Sequence, residues 1–156
     1  IDKAWANIDV ALRQRHDQLP ALVAAVRGAL AFEHDVLAEV AQARAAYSPT
    51  EPIPTQAVHA DQTTTAVHSL FAVVEAYPEL RSQANVLDLQ DEIERLESMI
   101  ADRRELYNDQ VFRYNTRIST VPALLLPPVF GWTARPFFAA EPDAANRPAV
   151  DLEDDR

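Results

Sequence analysis

Four histidines, His16, His34, His59 and His68, are the residues best suited to proton transfer or metal ligation. A carboxylate-bridged di-metal centre in a helical bundle needs Glu-x-x-His on two helices, since that spacing turns both ligands to one inward face. No Glu in the chain has a His three positions later. His59 and Asp61 are close together, but a lone pair of this kind at a loop or helix start does not make a metal site. There is no cysteine, which removes thiolate zinc sites and disulfides alike. Ser48, Ser69, Ser82, Ser98 and Ser119 stand outside any Gly-x-Ser-x-Gly turn. The two glycines, Gly28 and Gly131, are too far apart to build a phosphate-cradling loop. The residues therefore identify no catalytic group, no metal and no cofactor, and the chain reads as non-enzymatic.

Two other sets of residues stand out by position. Charges fall where apolar side chains are due: Arg15, Glu33 and Arg44 in the first part of the chain, and Arg103, followed by Arg104, further on. A buried charge must pair, or its stem must carry it to water. Two readings stand side by side. In one, Glu33 pairs across helices with Arg103 or Arg104; in the other, small slips of phase put these residues at the boundary. The second set is Tyr107-Asn108 and Tyr114-Asn115, whose seven-residue spacing places like residues on one helix face. These form either a structural hydrogen-bond ladder or a strip that binds a peptide or partner.

The elements that position these residues are helices. Two glycines leave few tight turns, and helix formers abound. Ile1, Trp5, Ile8, Leu12, Leu19, Leu22, Val26, Leu30, Leu37, Val40 and Tyr47 recur at steps of three, four or seven, which predicts one long helix over 1–47. Pro20 and Gly28 interrupt it and predict a kink. Residues 48–56 hold three prolines and form a loop. A second helix is predicted from Val58 to Tyr77, stopped by Pro78, and a third from Asn85 to Thr120. On the third, Asp91, Glu92, Glu94, Arg95 and Glu97 read as a solvated outer face. The prediction is an all-α antiparallel bundle of long helices, of the four-helix-bundle type, with an irregular C-terminal segment.

Beyond Pro122 the apolar run containing Leu124, Leu125, Leu126, Phe130 and Trp132 either closes one end of the bundle or forms a contact patch for a partner or membrane surface. The boundaries read as one bundle domain over 1–140 and an acidic tail over 141–156, where Asp151, Glu153, Asp154 and Asp155 cluster. A net charge of −10 argues against nucleic acid as a partner. The longest apolar runs fall short of the roughly 20 residues that span a bilayer. Opening at Ile1 inside a helical stripe, the chain is expected to lack its natural N-terminus.

Trp5 followed by Ile8-Asp9-Val10, Arg13, Arg15, Asp17, Leu19-Pro20 and Leu22-Val23 resembles the opening segment of the LemA family. Glu75-Ala-Tyr77-Pro78-Glu-Leu80 is similar to the family's Glu-x-Tyr-Pro-x-Leu, and Arg103-Arg104 with Tyr107-Asn108 and Tyr114-Asn115 to its Arg-Arg-x-Tyr-Asn and following Tyr-Asn. Phe137-Phe138 and Pro148-Ala-Val150-Asp151 echo its closing segment. The order is collinear over nearly the whole chain. The resemblance implies a helical bundle anchored to a bacterial cell membrane through an N-terminal segment missing from this chain. It also implies a protein partner in the envelope, and similar MamQ-like magnetosome-membrane relatives point to membrane organisation. The function so implied is a membrane-tethered scaffold or interaction domain. The alternative is an accessory or regulatory subunit of a membrane enzyme such as a protease, and a hydrolase ranks last.

Overall fold

The structure, a computed structural model, describes residues 1–121 and 127–139. These form α1 (Asp2–Val26), α2 (His34–Ala46), α3 (Ile53–Glu75), the one-turn α4 (Pro78–Arg81), α5 (Ala84–Ile118) and the one-turn α6 (Pro127–Phe130). The architecture is an all-helical bundle. Leu124, Leu125, Leu126 and the acidic tail lie outside the described residues.

The predicted single helix over 1–47 is two helices. The chain leaves α1 at Val26, turns through 27–33 and returns as α2. At the far end of α2, the Tyr47 ring lies 4.9 Å from the His16 ring, which folds α2 back along α1. The stripe conceals this reversal because both helices turn the same faces to one core. Leu22, Val26, Leu30 and Val40 are all fully or almost fully buried in the same cluster, so a seven-residue step such as Leu30 to Leu37 survives the turn.

Pro20 sits inside α1 without ending it. A proline has no N–H to give the carbonyl four residues back, which here is that of His16. Arg44 Nε from α2 donates to this freed His16 carbonyl at 3.4 Å, so α2 takes up the acceptor that the proline leaves. Since Pro20 is exposed, Pro20→Ala restores the intrahelical bond without a clash. It is expected to raise stability by about 1 kcal/mol, less than the ~3 kcal/mol of an unconstrained helix because Arg44 already compensates. Urea unfolding showing no gain would mean that α1 depends on the proline's geometry.

His16 adds a pH dependence at this junction. Burial first, and then the Arg44 charge, hold the imidazole pKa below its ordinary value, with Asp17 opposing. The folded state thus disfavours the proton that the unfolded chain accepts. Stability is complete above the unfolded pKa of ~6.5 and falls as pH drops below it. His16→Gln is expected to reduce the loss of Tm between pH 8 and pH 5.5. An unchanged loss would assign the acid sensitivity to other groups.

Prolines also start the later helices. Pro52 caps α3 and Pro54 lies in its first turn, while Pro78 opens α4, positions where the missing N–H is no loss. Buried Gln56 Nε2 donates to the Pro49 and Glu51 carbonyls and holds the 47–52 connection against α3. α1 packs along α5 and α2 along α3. Arg15 meets Glu97 while Arg103 reaches the Asn7 carbonyl, so α1 and α5 run in opposite directions. Two apolar clusters fill the bundle. One, toward the α1–α2 turn, holds Leu19, Leu22, Leu70, Val74, Leu80 and Ile93. The other, toward the start of α1, holds Ile8, Leu12, Ala57, Ile100, Tyr107, Val111 and Phe138.

Candidate functional site

Polar ties cross the bundle at three levels, and the last of them builds a site. At the α1–α2 turn, the Tyr77 hydroxyl donates to Glu33 Oε1 at 2.9 Å. That bond holds the tyrosine pKa above its ordinary value. Glu33 thus meets neither Arg103 nor Arg104. It is the residue capping α2, outside the regular helix, so its place in a continuous stripe was an artefact of reading two helices as one.

At mid-bundle Arg15, 3% exposed, is enclosed by α3 and α5. Its Nη1 donates to Glu97 Oε1 at 2.7 Å and to Thr64 Oγ1 at 2.8 Å, and its Nη2 to the Ala60 carbonyl at 3.1 Å. The Thr64 hydroxyl lies 2.7 Å from Glu97 Oε2 and 3.1 Å from the Ala60 carbonyl. Its single proton goes to the carboxylate, where charge makes the bond stronger. The predicted solvated position of Glu97 is therefore corrected: its side chain is 14% exposed and completes a buried ion pair. Gln90, Glu97 and Arg104 stand seven apart on α5, a polar line facing α3 that the sequence carried and the apolar stripe obscured. Arg44 and Arg103 are not part of this network. Arg44 is exposed and holds the His16 carbonyl, and Arg103 Nη1 donates to the Asn7 carbonyl at 2.6 Å.

At the third level α5 grips the segment 132–139, an extended strap following Gly131, whose φ of +66° suits a residue without a Cβ. Asn108 Nδ2 donates to the Phe138 carbonyl at 3.1 Å, and the Phe138 N–H donates to Asn108 Oδ1 at 2.9 Å. Asn115 repeats the arrangement on Arg135, with both bonds at 2.9 Å. The Tyr107 hydroxyl donates to the Pro136 carbonyl at 2.9 Å, and burial pushes its pKa up, which keeps that proton in place. Arg104 Nε donates to the Phe138 carbonyl at 3.0 Å, while its Nη atoms hold Asp61 of α3 at 2.6 and 3.3 Å. The guanidinium also stands over the Phe138 ring, 5.4 Å from its centroid. Phe138 is fully buried, with its ring 5.6 Å from Trp5, which in turn lies 5.8 Å from Tyr107. Tyr114 is half-buried on the same helix.

An amide side chain carries both a donor and an acceptor and so can pair with one residue of main chain as a neighbouring strand would. The heptad of Asn108 and Asn115 advances about 10 Å along α5, and three extended residues cover about the same distance. That equality lets two asparagines seven apart hold Phe138 and Arg135, three apart, with the strap antiparallel to the helix. Beside Asn108 a groove of about 500 Å³ opens between α3 and α5, lined by Thr64, His68, Glu97, Arg104 and Glu105 among others. His59 and Asp61 diverge: Asp61 belongs to Arg104, and His59 Nδ1 lies 3.0 Å from Glu51 Oε2. Among the described residues no group of three or more His, Cys, Asp or Glu is arranged to hold a metal ion.

Of the apolar residues beyond Pro122, Phe130 and Trp132 are described. They stack with centroids 5.3 Å apart and planes at 22°, and remain 60% and 44% exposed. Arg135, three residues on, lies 3.4 Å from Asp2, so this pair sits at the end of the bundle where α1 begins. Among the described residues no helix is long and apolar enough to cross a membrane.

The model of a protein family described as the LemA family matches residues 4–152. Among curated proteins, none matches the chain.

Proposed function

The chain belongs to the LemA family, and from that premise we propose that it is a non-enzymatic interaction domain of an envelope protein, tethered so that one end of its bundle faces the membrane. The family is generally membrane-associated and is not known as a family of enzymes. The observation that carries the reading is the stacked, exposed Phe130–Trp132 pair, three residues from Arg135 where that residue meets Asp2 at the start of α1. A tryptophan, with its indole N–H on an otherwise apolar ring, settles at the boundary between headgroups and acyl chains, and the Phe130 ring stacked on Trp132 adds apolar area beside it. A tether entering at the start of α1 brings these rings to that boundary and directs the opposite end, with the α1–α2 turn, away from it. The polar side chains inside the bundle act as ties between helices, which suits a rigid spacer between a membrane and a partner.

A photocrosslinking amino acid placed at Trp132 or at Phe32 in the membrane-bound protein tests this. Phe32 is 91% exposed on the α1–α2 turn and so serves as an accessible control at the other end. Lipid adducts are expected several-fold more often from position 132 than from 32. Equal labelling from both positions would remove the proposed orientation.

A further inference from the structure

We propose that the Asn108–Asn115 face of α5 is a recognition groove for an extended peptide with an aromatic anchor, and that a second copy of this chain can supply the occupant by exchanging its 132–139 strap. The inference does not depend on the membrane-facing reading of the Phe130–Trp132 end. All six side-chain bonds described above between α5 and the strap go to main-chain atoms of Arg135, Pro136 and Phe138. The cradle therefore reads an extended backbone and demands one side chain, the ring of Phe138 in its seat against Trp5 and Tyr107. This is how backbone-reading peptide sites work: main-chain hydrogen bonds give affinity and a pocket gives selectivity.

The strap is held by this clasp more than by general burial, since residues 131–136 are all exposed and Phe138 alone is buried in it. The segment 119–134 joins α5 to the gripped residues, and its sixteen residues can extend to at most roughly 50 Å, or less while α6 stays helical. The same contacts thus form whether the strap comes from its own chain or from another. The Asp2–Arg135 contact would transfer with it. Within one chain the strap has an effective concentration in the millimolar range, which favours the closed form in dilute solution. Copies brought to a local concentration above that range shift the balance toward exchange, and reciprocal exchange closes a two-fold dimer. The strap is the one sequence already seen to fit the groove, which is why a second copy is the occupant of choice.

Because the chain contains no cysteine, single substitutions report exchange without ambiguity. Full chains carrying Asp2→Cys and Arg135→Cys are mixed at high concentration and treated with a short bis-maleimide, which spans the gap that the lost arginine side chain leaves between the two sulfurs. A mixed crosslink at least fivefold above that of an Arg135→Cys and Ser82→Cys mixture is expected, and Asn108→Ala with Asn115→Ala should return it to that level. Yield no higher than the Ser82 control, or indifferent to the asparagines, would overturn the proposal. As a second measurement, a labelled peptide of residues 133–140 is titrated into native chain and into Phe138→Ala, which vacates the seat. Binding at least tenfold tighter to Phe138→Ala supports the groove, whereas a helical Phe138→Ala chain that ignores the peptide overturns it. If that variant does not fold, the crosslink yield decides.

Discussion

Arg15→Ala is expected to lower the unfolding free energy by about 3 kcal/mol, among the largest effects of any single polar substitution in the bundle. The pair it breaks lies inside, with Arg15 3% and Glu97 14% exposed, so solvent does little to screen what is left behind. Removing the cation strands the Glu97 carboxylate with Thr64 as its remaining described donor and deprives the Ala60 carbonyl of its second bond. Breaking one side of a buried pair typically costs 3–5 kcal/mol, most of it the penalty of an uncompensated charge. The pair itself need not be worth that much. Replacing both members with leucine removes the stranded charge, and Arg15→Leu with Glu97→Leu is expected to come within about 1 kcal/mol of the native chain. Urea unfolding of Arg15→Leu, Glu97→Leu and the double variant closes the cycle. A loss below ~0.5 kcal/mol in Arg15→Ala would show that water reaches Glu97.

Phe138→Ala is expected to cost a similar amount, about 3 kcal/mol, for a different reason. A fully buried phenylalanine truncated to alanine loses its transfer energy and leaves a cavity unless the surroundings collapse. Here the surroundings are Trp5, Tyr107 and the Arg104 guanidinium. All three are large and anchored in helices, so collapse is limited. The loss also propagates, because the clasp bonds of Asn108 and Arg104 depend on that residue staying seated. Trp5 then meets water, and its emission should shift to the red when measured with Trp132→Phe in the background. An unshifted spectrum with native stability would mean that another side chain, such as the adjacent Phe137, fills the seat.

How much of this was legible beforehand varied with the range of the interaction. The helical class and the break after Tyr47 are local properties that composition, periodicity and proline chemistry make readable. The bounds shift: α3 starts at Ile53, inside the loop predicted over 48–56, because proline is at home in a helix's first turn. It ends at Glu75, with Pro78 opening α4 and not stopping α3. The reversal at 27–33 was not readable, because an apolar step is blind to chain direction when both helices face one core. Arg15 stood out because an arginine in an apolar stripe is anomalous locally. Its partner did not, since Glu97 sits among Asp91, Glu92 and Glu94 and only α3 and α1 distinguish it from them. For Glu33, charge alone offers Arg103 or Arg104 as one reading and a boundary position as the other, and the neighbour in the structure is a tyrosine hydroxyl.

The Tyr107-Asn108 and Tyr114-Asn115 pairs divide the two kinds of information most clearly. The sequence by itself determined that like residues share a helix face and repeat every seven positions, since α-helix geometry requires it. It also determined that Phe137-Phe138 follows in the order that the family shares. Only the tertiary structure decided what the face holds. Asparagine offers the same donor and acceptor to water, to a partner or to main chain, and nothing local to α5 selects among them. The selection was made by Arg135 to Phe138 arriving extended, in the antiparallel sense, with three residues matching seven. A match between two different rises per residue exists only once both segments are in place, which is why it belongs to the fold and not to either segment.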